Sequence, residues 1–421
     1  MKLLIKNATI LDAMSPFNGQ CKDILIESGI IKEISSSIDT DFDEVISGDH
    51  LQVSPGWVDP FVQFPDPGHE YKESLETGIA AAAAGGFTDV FVLPNNNPVT
   101  DNKSQVAYII NKSQSTAVKL HPLGAISKSA EGKDLAEMHD MHASGAIAFS
   151  DGLHPVQSAG VLLKALQYVK AFEGIILQIP DDASIGKHGL MHEGIVSTQI
   201  GLAGKPMLAE ELQVARDIAL TKYTGSKIHF TGVTSPSAIE MIRQAKKDGV
   251  QVTCSVTPYH LFFTDDDLRN YDTNLKVFPP IRTIQVQQQL KKAILDGTID
   301  CISSHHQPHD TDNKIVEFEQ AAFGMIGLET TYPVLKASMP DVTDQQWVVL
   351  LSTNTRKIFG LNPATIQPNQ PACITMFEPA TSVKVDHSFL QSKSSNTPFL
   401  GKTMKGRTLG IISNNIIHIV R

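Results

Sequence analysis

One helix-then-strand unit stands out early in the chain: residues 72–94 have the sequence KESLETGIAAAAAGGFTDVFVLP. The five alanines favour a helix, because alanine has the highest helix propensity, and the Gly85-Gly86 pair is typical of a helix end. Residues 87–94 are rich in β-branched and aromatic side chains, which favours a buried strand. A helix followed directly by a buried strand predicts one repeat of a parallel α/β fold.

The same alternation recurs through residues 55–355. Eight apolar runs predict strands over Trp57–Phe64, Phe87–Pro94, Val118–Ile126, Gly145–Asp151, Gly174–Pro180, Lys227–Thr234, Val250–Pro258 and Asp300–His305. Helical patterns between them cover Lys72–Ala84, Ser158–Ala171, Ala209–Thr224, Ser235–Lys247 and Ile284–Leu295, several beginning with a Ser or Thr suited to an N-cap. Eight strand–helix alternations predict an α/β fold of the closed (β/α)8 TIM-barrel type.

The two flanks of this region differ from it. Residues 1–54 contain strand signals over Leu3–Ile10 and Asp23–Ile34, and residues 356–421 contain further strand signals over Ala372–Phe377, Thr408–Ile412 and Ile416–Val420. Neither flank is long enough to bury a core alone. We therefore predict that 1–54 and 356–421 pair as one small β-sandwich domain beside a barrel formed by 55–355.

The composition limits the classes of function. No apolar run reaches 18 residues, which argues against a membrane-spanning helix, and the N-terminus lacks the pattern of a signal peptide. The cysteines Cys21, Cys254, Cys301 and Cys373 are far apart, which suits reduced thiols in the cytoplasm. A net charge of −10 without a basic cluster makes nucleic acid a poor candidate partner. We expect a cytoplasmic protein that binds neither membrane nor nucleic acid.

Several short motifs follow one another in the order of a known family. They are Pro55–Asp59, Asp66–Glu73, Ala82–Thr88, Pro94–Pro98, Met191–Gly194, Tyr271–Asn274, Asp296–Asp300, Phe323–Thr330 and Asn396–Phe399. Together they span nearly the whole chain. The chain resembles the bacterial type I dihydroorotases of the amidohydrolase superfamily.

The resemblance implies a zinc site at the strand ends, where family members use histidines and an aspartate. Here those positions are occupied by Phe61, Gln63, Asp151, Gln178, Gly232 and His305. A phenyl ring and a glycine cannot ligate, a carboxamide binds transition metals poorly, and His305 stands where the family has its aspartate. Only Asp151 keeps the family residue type. We therefore expect no metal and no intact catalytic group.

The positions that bind substrate in the family are also altered. Pro65 replaces an arginine that would pair with the substrate carboxylate, and Phe278 replaces an asparagine. Asn95 and His309 match the family and are the expected remnants of the substrate pocket. Recognition of the family substrate is therefore weakened independently of the metal.

A displaced metal site is the alternative. Asp151, His305 and His306 supply possible zinc ligands, although neighbouring residues of a strand point to opposite faces, which favours packing roles for these histidines. His69 and His192 lie within family loop motifs, and structural roles are the simpler expectation for them.

The resemblance implies two functions of different classes. One is an inactive dihydroorotase-like subunit that acts in pyrimidine synthesis as a structural or regulatory partner of aspartate carbamoyltransferase, with a homo-oligomer also possible. The other is an active dihydroorotase, or another cyclic amidohydrolase that opens a cyclic amide C–N bond, with zinc held at an atypical site. A third interpretation is a small-molecule sensor that uses the old pocket.

Overall fold

An eight-stranded parallel barrel forms the centre of the computed structural model, which describes residues 2–420. Its strands, first to eighth, are Trp57–Val62, Phe87–Val92, Lys119–Gly124, Ala148–Phe149, Ile175–Gln178, Lys227–Phe230, Val252–Val256 and Cys301–Ile302. A parallel bridge between Val62 and His306 joins the first strand to the segment just after the eighth strand and so closes the barrel. The Gln63 amide donates to the His306 carbonyl at 2.9 Å. The predicted barrel is confirmed.

The barrel strands are shorter than the apolar runs that predict them. Every residue of the first strand is buried, as expected in a (β/α)8 barrel, where helices cover the outer face and side chains fill the interior. The eighth predicted strand, Asp300–His305, is wrong in its second half, because the chain leaves the ladder after Ile302. His305 has a φ of 47°, in the left-handed region, so it cannot continue a strand.

Helices cover the outside of the barrel. They are Leu75–Ala84, Lys103–Ser113, Met138–Ala143, Ala159–Lys170, Ile195–Ile200, Leu208–Thr224, Pro236–Lys247, Pro258–Phe262, Ile284–Leu295, Thr331–Ser338, Asp344–Val348 and Asn354–Phe359. Ser158, Ser235 and Thr283 each accept a backbone N–H of the helix that follows, as predicted for N-caps. None of the helices in residues 2–420 has the length and apolar character needed to cross a membrane.

The two ends of the chain form one eight-stranded mixed sheet. Its strands are Lys2–Ile10, Cys21–Glu27, Ile30–Ser35, Glu44–Ile46, Gln52–Pro55, Ile374–Lys384, Thr403–Ser413 and Ile416–Ile419. The single strand predicted over Asp23–Ile34 is wrong: the chain turns at Ser28 and Gly29, whose φ values are 49° and 76°, and forms a hairpin. The Thr375 hydroxyl links this sheet to the barrel by accepting from the Trp57 amide and donating to the Gly86 carbonyl.

Candidate functional site

The carboxyl ends of the barrel strands surround a cavity of about 890 Å³. Loops 129–132, 153–157 and 181–187 form one side of it, and Phe278 and Phe323 form part of the other. This end of a (β/α)8 barrel carries the working residues in characterised enzymes of the fold. We call this space the mouth cavity.

Phe61 and His305, two positions at which the family resemblance implies metal ligands, have packed side chains. The His305 imidazole lies against the Phe61 ring, with 4.5 Å between ring centroids and 35° between the planes. Both side chains are fully buried. His305 Nε2 lies 2.7 Å from the Thr231 hydroxyl, so the ring nitrogen that points into the barrel already has a hydrogen-bond partner.

A chain of hydrogen bonds runs from His305 through the interior of the barrel. Ser255 donates to Thr231 at 3.0 Å, His229 Nε2 lies 3.1 Å from the Ser255 hydroxyl, and His229 Nδ1 lies 2.8 Å from the Thr253 hydroxyl. We call these five residues the polar relay. It crosses the core from the sixth and seventh strands to the loop after the eighth.

The relay assigns the tautomer of His229. A hydroxyl has one proton, so Ser255, which donates to Thr231, accepts from His229 Nε2. The neutral His229 ring therefore carries its proton on Nε2 and accepts the Thr253 hydroxyl at Nδ1. Burial lowers the pKa of His229 and of His305 to about 3, so both rings are neutral near pH 7.

Gly232 gives His305 the space that it occupies. A Cβ at Gly232 would lie 2.6 Å from His305 Cε1, and the φ of Gly232 is 71°, in the left-handed region. A larger residue at this position therefore meets both a steric clash and backbone strain. The His305 ring therefore fits at this place because position 232 has no Cβ.

Asp151 bonds the loop that follows the third strand, and Asn95 bonds the loop that carries Asp151. Asp151 Oδ1 accepts the Ser127 amide at 2.9 Å, and Oδ2 accepts the Ser127 hydroxyl at 2.5 Å. Asn95 donates to the Asp151 carbonyl and accepts from the Leu153 amide at 2.9 Å. Burial raises the pKa of Asp151 to about 6, against the opposing effect of the Ser127 bonds. Both side chains thus have structural partners.

The remaining positions on the first and fifth strands supply no strong ligand. Gln178 is buried, and its Oε1 accepts the Val156 amide at 3.3 Å. Gln63 is half-buried and follows directly after the first strand. Pro65 is buried, and its carbonyl accepts the His69 amide.

The two histidines after His305 point to different surroundings. His306 Nδ1 accepts the Gly327 amide at 3.2 Å, and its Nε2 lies 3.5 Å from a carboxylate oxygen of Glu73. His309 Nε2 lies 2.8 Å from the Phe323 carbonyl. Burial, assisted by the nearby Lys72 ammonium, lowers the pKa of His309 to about 4, so this ring is neutral near pH 7.

Aromatic side chains narrow the mouth cavity. Phe278 and Phe323 meet edge to face, with 6.2 Å between ring centroids. The His260 ring, below them, bonds the Thr257 hydroxyl and the Pro279 carbonyl and has a packing role. Aromatic rings therefore form part of the wall of the mouth cavity.

These residues do not fit the zinc ion that the family resemblance implies. Phe61 and Gly232 have no donor atom, and the Asp151 carboxylate and His305 Nε2 have other partners. Within residues 2–420, no three side chains of His, Cys, Asp or Glu lie close enough together to hold a metal ion. Asp151, His305 and His306 are therefore not brought together, and we derive no catalytic step through zinc.

Four relay residues escape prediction from sequence motifs, namely His229, Thr231, Thr253 and Ser255. One signal for them exists: polar residues alternate at 229 and 231, at the end of the sixth strand, and at 253 and 255 on the seventh. Side chains two apart share one face of a strand, so this pattern places four polar groups on one face.

Solved structures define the class of the fold. The L-hydantoinase (dihydropyrimidinase) from Arthrobacter aurescens superimposes with a TM-score of 0.86 at 23% identity and covers 100% of this chain and 97% of its own. D-hydantoinase (dihydropyrimidinase) from Thermus sp. superimposes with a TM-score of 0.82 at 21% identity, covering 99% and 95%. Both solved structures share the fold of this chain, a (β/α)8 barrel joined to a mixed β-sheet.

Sequence relatives define the family within that class. Residues 51–237 match the family described as dihydro-orotase-like. Dihydroorotase of Pelotomaculum thermopropionicum is 40% identical over 411 residues, covering 96% of both chains, and dihydroorotase of Geotalea daltonii is 38% identical over 423 residues, covering 99% of both. The chain belongs to the dihydroorotase family.

Proposed function

We propose that this chain is a non-catalytic member of the dihydroorotase family that serves pyrimidine biosynthesis as a structural or regulatory subunit. The observation that carries the proposal is the packing of His305 against Phe61 at the position of the family's metal. Hydrolysis of an amide by this family's chemistry needs a metal-bound water of lowered pKa and a polarised carbonyl. The side chains at the strand ends supply no ligand set for such a water.

The partner in this proposal is aspartate carbamoyltransferase. Its support is the family resemblance together with a fold whose framework motifs remain while its ligand positions have changed. A chain that keeps its fold without its chemistry retains surfaces on which another subunit can assemble. The interface itself is not assigned to any residue.

Two measurements on one preparation test the loss of catalysis. Zinc content and dihydroorotate hydrolysis are measured on the full chain, with the Pelotomaculum relative prepared in parallel as the positive control. We expect zinc far below one ion per chain and no turnover above the buffer blank, with and without added zinc. Stoichiometric zinc with turnover would establish the competing function, an active cyclic amidohydrolase with a displaced metal site.

Co-expression tests the partner. The chain is expressed with aspartate carbamoyltransferase from the same organism, and native mass spectrometry of the purified material gives the composition of any complex. We expect a defined stoichiometric complex, and weaker carbamoyltransferase assembly when this chain is omitted. Separate elution of the two proteins, with carbamoyltransferase assembly unchanged, would contradict the partnership.

A further inference from the structure

A second cavity, of about 420 Å³, lies apart from the mouth cavity. Loop 309–315, which follows the eighth barrel strand, forms one wall, and the segment 393–396 forms another. Tyr71, Thr273 and Asn274 complete much of the lining. It shares no lining residue with the mouth cavity, so its chemistry is independent of the altered metal positions.

A buried lysine lines this cavity. Lys314 is 5% exposed, and its ammonium donates to the carbonyls of Ala322 and Gly324 at 2.8 and 2.9 Å. An ammonium has three N–H donors, so one remains after these two bonds. Burial, and then the ammonium of Lys276, lowers the pKa of Lys314 to about 7. A neighbouring anion would offset both effects.

Two further lysines stand at the same cavity. Lys393 is exposed, lines the cavity and donates to the Glu70 carbonyl at 2.8 Å. The Lys72 ammonium lies 3.4 Å from His309 Nδ1 and 5.9 Å from the centre of the Tyr71 ring, and both of those side chains line the cavity.

These three lysines lack carboxylate partners. Among the ion pairs found in residues 2–420, none involves Lys72, Lys314 or Lys393. Asp310 is an acidic residue of the lining, and one of its carboxylate oxygens accepts the Asn313 side-chain amide. Lys314 and Lys393 thus outnumber the single lining carboxylate of Asp310, and a local excess of positive charge remains at this cavity in a chain of net charge −10.

We propose that the cavity between loop 309–315 and segment 393–396 binds the phosphate or carboxylate group of a small anion. Lysine ammoniums attract such a group, and the hydroxyls of Thr311 and Ser395 around the cavity add neutral donors. The volume exceeds that of a bare phosphate and leaves room for a small attached group.

Isothermal titration of the full chain tests the site with two probes, inorganic phosphate and malonate, in buffers of matched ionic strength. Lys393→Gln is the main variant, because its side chain is exposed and its loss should not disturb folding. Lys187→Gln is the matched control, because Lys187 lines the mouth cavity and not this one. Lys314→Met removes the buried charge while keeping the aliphatic stem, and circular dichroism checks its fold.

We expect at least one probe to bind, with Lys393→Gln weakening its Kd by about fivefold or more and Lys187→Gln changing it by less than about twofold. Tighter binding of phosphate indicates a phosphorylated ligand, and tighter binding of malonate indicates a carboxylate. Absence of heat for both probes at about 20 mM would overturn the proposal. Equal weakening by Lys187→Gln and Lys393→Gln, or loss only in Lys187→Gln, would also overturn it.

Discussion

The ring of His305 lies 4.5 Å from the ring of Phe61, centroid to centroid, and both are buried where other members of the family are expected to hold metal. The two rings form a packed contact, which the polar relay extends through Thr231 into the barrel core. Phe61 and His305 are therefore part of the packed core, and the variants below test this packing.

Replacement of Thr231 by Val should destabilise the fold by about 1–3 kcal/mol, because the buried Nε2 of His305 loses its partner. Urea unfolding gives the free energy. His305→Phe supplies the second arm of a double-mutant cycle, since a phenyl ring needs no hydrogen bond. We expect a coupling of about 0.5–3 kcal/mol between the two sites. Strictly additive effects would show that the Thr231–His305 bond contributes nothing.

Gly232→Ala should be markedly more destabilising than Gly249→Ala. Both glycines have a left-handed φ, 71° and 77°, but a Cβ at Gly249 meets nothing within 4 Å, whereas at Gly232 it meets His305 Cε1 at 2.6 Å. The two variants therefore have similar backbone strain, and the difference between their free energies of unfolding measures the clash with His305. We expect this difference to be about 1–3 kcal/mol. Adding His305→Ala should remove most of that difference, and its persistence would contradict the assigned contact.

Acid should unfold this protein through its buried histidines. The folded-state pKa of His229 and of His305 is about 3, below the ordinary value of 6.5, so stability is complete above pH 6.5 and declines as the pH falls towards 3. At pH 5 each of these two histidines should lower the free energy of unfolding by about 2 kcal/mol relative to pH 7.5.

Urea unfolding at several pH values measures this slope. His305→Phe has no ring to protonate at this position, so its stability should fall less steeply between pH 6.5 and 5. His142→Phe is the comparison variant, because this ring stacks on Phe172 outside the relay. An unchanged slope in His305→Phe would mean that His305 is not held neutral by the fold.

Restoring two ligands should not restore a metal site. In Phe61→His/Gln63→His the first strand regains its pair of imidazoles, but Gln178 and Gly232 still supply no strong ligand and His305 still fills the space. We expect zinc far below one ion per chain by elemental analysis. Adding Gln178→His, Gly232→His and His305→Asp should raise zinc content well above that of the double variant. Full zinc occupancy in the double variant would contradict the blocked site.

Much of the fold follows from local patterns. The alternation of buried strands and helices predicts the barrel, and Ser158, Ser235 and Thr283 are recognisable as N-caps. The predicted end of the eighth strand is wrong because no local sequence pattern indicates that the chain leaves the sheet before His305. The hairpin at Ser28-Gly29 is missed because apolar residues continue on both sides of the turn.

The candidate site, like the fold, was only partly predictable from the sequence. The family resemblance marks Phe61, Gln178 and Gly232 as changed positions because they lie between motifs that match in order. Their new role is not visible there, since it depends on contacts between residues more than 70 positions apart, such as Thr231 and His305. The lysines at 72, 314 and 393 belong to three separate segments, and no local pattern joins them.

The sequence by itself determined the barrel and its order of strands, because periodicity, propensity and residue chemistry are properties of short segments. Only the tertiary structure decided how His305 packs against Phe61 and which lysines line the second cavity. Parallel strands bring the ends of distant segments to one rim, where Thr231 reaches His305 and Lys314 is buried against two backbone carbonyls.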